Sequence, residues 1–148
     1  MKRRAPLILL FILAVCALSF SKKEDSLEQL MAKADAASGG EQADLCMEVA
    51  ERELKLPTNS YKANALEDAR ASLQQIVKYS DKARTAAIQS GKKMKHTEIK
   101  IRRISERLRD LKFNVEADDQ PGIQSAIDKL EDFRTEILKN MFGSKPHD

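Results

Sequence analysis

After residue 22, apolar or small side chains recur three and four positions apart along most of this chain, the period of helices buried along one face. The clearest run is Leu66, Ala69, Leu73, Ile76, Ser80, Ala83, Ala87, Ser90, Met94, Thr97, Ile101, Ile104, Leu108, Leu111 and Val115. Its steps alternate three and four without a slip, which is a heptad register. The pattern predicts one helix over 65–116, about 78 Å long at 1.5 Å per residue. Gly91 costs roughly 1 kcal/mol in a helix interior, so a break there is the alternative.

Three shorter helices surround this one. Ser26 and Gln29 form a capping box ahead of Leu27, Leu30, Met31 and Ala34, giving a helix over 26–37 that Ser38-Gly39-Gly40 ends. Glu41, Asp44 and Glu48 suit the start of a second, over 41–56, with Ala43, Cys46, Met47, Ala50 and Leu54 on its apolar face. Pro57 kinks or breaks it. Asn64 with Glu67 reads as a capping box for the long helix. Asp118 to Gly122 is a turn, and Pro121 opens a last helix over 121–142 whose apolar face is Ile123, Ile127, Leu130, Phe133, Ile137 and Met141. Gly143 and Pro146 end it. The short turn sets it antiparallel to the second half of the long helix, leaving the first two helices to cover the first half. The expected fold is all-α: an elongated antiparallel helical bundle around one long heptad-patterned helix, a single domain over 22–148. Five glycines and four prolines are too few to punctuate a many-stranded β fold.

Residues 1–21 have another character. Lys2-Arg3-Arg4 precedes an apolar stretch from Ala5 to Val15, and small residues follow at Ala17, Ser19 and Ser21, the layout of a signal peptide. Export to a periplasm or the outside is the expectation. A retained membrane anchor over 5–21 is the alternative, because that uncharged run of 17 residues reaches the lower limit for spanning a bilayer. The formal net charge of +3 comes from these three basic residues, so the remainder is balanced. Nucleic acid is therefore not an expected partner.

Signs of chemistry are few. Cys46 is the one cysteine outside the signal segment, which leaves no partner for an internal disulfide, and it reads as a small apolar residue on a buried stripe. His96 and His147 lack metal-ligand spacing, and no glycine-rich loop precedes a helix to cradle a phosphate. Glu67/Asp68 and Glu131/Asp132 are neighbours on helices and so point in different directions. No catalytic, cofactor-binding or metal-ligating residue is nominated, and no cofactor is expected. The hairpin from Glu51 to Ala83 resembles one tetratricopeptide unit in placing Tyr61 before its turn and Ala69 after it. It lacks the turn glycine, is one residue short between the two, and has no second copy at a period of roughly 34 residues.

One constellation bears on binding. Residues 91–116 hold nine basic side chains against four acidic ones. Lys93, His96, Lys100, Arg103 and Arg107 follow helical spacing down one strip within residues 92–112, a candidate site for anionic surfaces such as lipid headgroups or polysaccharide. No aromatic side chains are interleaved for base stacking. The competing reading neutralises the strip locally, through Glu98–Arg102, Arg103–Glu106 and Arg107–Asp110, with Asp128, Glu131, Asp132 and Glu136 of the last helix facing the rest. The leading expectation is an exported, noncatalytic helical scaffold or protein-interaction module that binds a protein partner or self-associates along its heptad seam. The alternative is an envelope-associated binder of anionic surfaces through the strip.

Overall fold

The computed structural model of the chain describes residues 24–62 and 65–143. Residues 1–21, expected to be a signal peptide, and also Asn64 and Pro146 lie outside the described residues. Six α-helices and a short 3-10 turn follow one another: α1 (Leu27–Ala36), α2 (Gly39–Glu53), α3 (Lys55–Lys62), α4 (Leu66–Ser90), α5 (Met94–Lys112), the turn Ala117–Asp119, and α6 (Gln120–Phe142). The described residues are all-helical, without a strand.

The heptad run is not one helix. Gly91 and Lys93 both adopt left-handed backbone, each with φ 65°, and the chain reverses between α4 and α5. Glycine reaches that conformation at no steric cost, whereas a lysine there is strained. The longest helix is thus α4, with 25 residues, about 37 Å at 1.5 Å per residue. The expected spine of the bundle is replaced by a hairpin. Both of its arms nevertheless bury the same stripe: Ala69, Leu73, Ile76, Ser80, Ala83 and Ala87 in α4, then Thr97, Ile101, Ile104, Leu108 and Leu111 in α5. The central part of the seam is therefore buried within the chain's own core.

The four long helices alternate in direction. Gly39, at the start of α2, lies against Ser90 at the end of α4, while Glu53 near the end of α2 meets Ser72 in the first half of α4. Leu66 of α4 shares a groove with Leu111 of α5, so these two also run antiparallel. Between α5 and α6, Lys112 Nζ donates to Gln124 Oε1 at 2.7 Å and Arg134 Nε donates to Glu98 Oε1 at 2.6 Å, which makes this pair antiparallel as well. The core between them holds Met47, Ile76, Ile101, Leu108, Ile123, Leu130 and Ile137.

α1 packs along α2. Its capping box forms as expected, with Ser26 Oγ accepting from Gln29 N–H and Gln29 Oε1 accepting from Ser26 N–H. Leu30 and Ala34 are buried, and Asp35 accepts from Lys82 Nζ at 2.6 Å and from the hydroxyl of buried Tyr79 at 3.4 Å, tying α1 to α4.

Two boundaries differ from expectation for local reasons. Gly39 and Gly40 open α2 rather than close α1. Gly39 is left-handed (φ +59°), and a Cβ on Gly40 would sit 3.1 Å from Lys92 Cβ and 3.2 Å from Lys93 Cγ. The glycines let α2 approach the α4–α5 turn closely. Near Pro57, the break falls earlier, at Leu54. Proline then occupies the first turn of α3, where its missing N–H leaves no helical hydrogen bond unmade.

Candidate functional site

The structure divides the basic strip in two. Lys93 Nζ and His96 Nδ1 both donate to the Asp44 carboxylate of α2, each at 2.8 Å. Burial works against the Asp44 charge, but the hydrogen bonds from Lys93 and His96 outweigh it and hold its carboxyl below the ordinary range. Lys100 Nζ donates to Glu51 Oε2 at 2.9 Å. Arg103 and Arg107 stand exposed toward the end of α5, with no ion pair among the described residues.

The neutralising partners are not those expected from local spacing. Glu98 is bound by Arg134 rather than Arg102, and Glu131 takes Arg109 at 2.8 Å and Arg134 at 3.3 Å. Glu136 is bound by Arg84, whose guanidinium also covers the Phe133 ring. Asp44 and Glu51 were missed as counter-ions because nothing local to either side marks the pairing. The acidity of Asp44 was legible only as part of a favourable helix start, and Glu51 carried no such signal.

Residues capable of chemistry are committed elsewhere. Cys46 is fully buried in α2, and burial pushes its thiol up to about 11, far from a reactive thiolate. Among the described residues no cluster of histidine, cysteine and carboxylate could hold a metal ion. Glu53 is unusual. It is 5% exposed, and burial raises its pKa against the lowering effect of a Ser72 hydrogen bond. A buried carboxyl of this kind is accommodated most cheaply with its proton on. Sequence reading passed it over because it falls on the same helix as four other glutamates and aspartates.

One end of the bundle is open. There α3, the start of α4 and the end of α5 enclose a groove of about 910 Å³. Leu54, Leu66, Leu111 and Val115 line it with apolar surface, and Tyr61 adds a phenol edge. Lys55, Thr58, Asn59 and Lys62 form the α3 wall; Arg107, Asp110, Asn114, Glu116 and Asp119 form the opposite one. Two large apolar side chains lie exposed beside it in sequence, Leu56 at 43% and Phe113 at 79%. Of the expected strip, only Arg107 reaches this groove. A shallower apolar depression at the other end is lined by Met94, Ile99 and Met141 with Lys93, Lys95 and His96.

The groove has hydrogen-bonding and charged groups along both rims. Comparison with known proteins gives no match: no family model fits the chain, and no curated protein or solved structure is similar to it.

Proposed function

We propose that this chain is an exported, noncatalytic helical module that binds a protein partner at the open end of its bundle. The groove between α3 and α5, with its apolar floor of Leu54, Leu66, Leu111 and Val115 between charged walls, carries the reading. Exposed apolar grooves rimmed by polar residues mark interaction sites. Export rests on the charged and apolar layout of residues 1–21. Among the described residues, no helix is long and apolar enough to cross a membrane.

Photo-crosslinking residues placed at Asn59 or Asn114 test the proposal in cells. One discrete protein should be captured from these positions and not from Gln89, which is exposed at the opposite end of α4. Equal capture from Gln89, or none from the groove, would remove the reading.

A second reading keeps one specific support. Arg102, Arg103 and Arg107 are exposed on α5 without ion pairs among the described residues, as an anionic surface would require. Binding of that kind weakens steeply with salt. Salt-sensitive binding to anionic vesicles would favour it.

A further inference from the structure

We infer that the occupant of the α3–α5 groove is a second copy of this chain, held in a two-fold symmetric dimer. The inference rests on reading the groove as a protein-binding surface, and it names the partner. Charge carries the argument. The α3 wall contributes Lys55 and Lys62, while the opposite wall contributes Asp110, Glu116 and Asp119 against the single cation Arg107. In an isologous contact a surface meets itself turned half a revolution. A patch with one basic and one acidic half is then complementary to its own copy, each basic wall facing the other's acidic wall. An anionic membrane or polymer would be repelled by three carboxylates on one side.

Between the charged walls lies an apolar floor of Leu54, Leu66, Leu111 and Val115, which a second copy covers from water. The central positions of the heptad seam are spent in the core of each copy, and only its end residues Leu66, Leu111 and Val115 line the groove.

Sedimentation equilibrium on the protein purified in its naturally processed form tests the dimer. The parent should show a monomer–dimer equilibrium. Lys55→Glu with Lys62→Glu makes both walls acidic, and Asp110→Lys with Glu116→Lys makes both basic. Each of these double variants should be monomeric alone, and an equimolar mixture should recover a heterodimer. All the substituted side chains are exposed, and circular dichroism should show parent-like melting.

A monomeric parent at every concentration overturns the inference, as does a dimer that the reversals leave intact or a mixture that stays monomeric. If the parent is monomeric while crosslinkers at Asn59 and Asn114 capture a different protein, the groove remains a binding surface and only the second copy is lost. A dimer unaffected by every variant, with no crosslink from the groove, overturns both.

Discussion

Gly91→Ala distinguishes a helical hairpin from a continuous helix by the sign of its effect. In an uninterrupted helix the added methyl would stabilise by about 1 kcal/mol, because glycine is the poorer helix former. In the observed turn Gly91 has φ +65°, and a Cβ built there meets nothing within 4 Å. No clash contributes, so the cost is that of left-handed backbone alone, about 1–2 kcal/mol for a residue with a Cβ. The smaller conformational freedom of alanine in the unfolded chain returns about 0.4–1 kcal/mol. A net loss of about 1 kcal/mol is expected, some 2 kcal/mol away from the continuous-helix outcome. Urea unfolding followed by circular dichroism reads the difference directly, as a lower midpoint at unchanged slope. In a thermal scan the loss corresponds to roughly 4 °C. Lys93→Gly is the converse test. It relieves the second left-handed residue at the expense of a part-exposed pair with Asp44 worth about 0–1 kcal/mol, and should be neutral or stabilising. A Gly91→Ala variant more stable than the parent would refute the hairpin.

Leu108 is fully buried between the long helices, so Leu108→Ala should cost about 2–5 kcal/mol, and Leu108→Asp should leave the chain largely unfolded at room temperature by circular dichroism. Glu53 takes up its proton more readily in the fold than in the unfolded chain, so its contribution is complete at low pH and is lost as pH rises through its raised pKa. Glu53→Gln should therefore gain on the parent as pH climbs above the ordinary carboxylate range; a stability difference that is flat with pH would show that Glu53 ionises normally. Replacing Lys93, Lys100 and Arg107 together by glutamine removes pairs to Asp44 and Glu51, each worth about 0–1 kcal/mol, and should lower stability modestly without changing helical content. Loss of vesicle binding in that triple variant would instead support an anionic-surface function. Under the proposed export, mass spectrometry of the protein recovered from its native cells should find its first residue between Leu18 and Lys22; retention of Met1 or Lys2 would favour the membrane anchor.

The helical character of the chain, and which residues face its core, were legible without coordinates. Alternation of three and four is a property of one helix face, and each stripe read from the sequence is the stripe that is buried, from Cys46 and Met47 to Ile123 and Leu130. The Ser26–Gln29 capping box was legible for the same reason, since both partners sit within one turn. Continuity of the long helix was not. Residues 91–93 form a turn, yet Ser90 and Met94 stand four apart as they would in a helix, so the register passes across the reversal unmarked. Periodicity records which side of each segment meets the core, and both arms of a hairpin meet the same core. Pairings between helices depend on direction and neighbour, which follow from that reversal. Lys93 and His96 reach Asp44, Lys100 reaches Glu51, and Arg134 reaches Glu98 only because α5 is folded back beside α2 and α6. The groove arises in the same way, since α3 and the end of α5 become neighbours when the hairpin closes. Local physics set the helices and their faces; contacts between residues distant in sequence, available only after the Gly91 turn, set the charges that remain free and the surface left open.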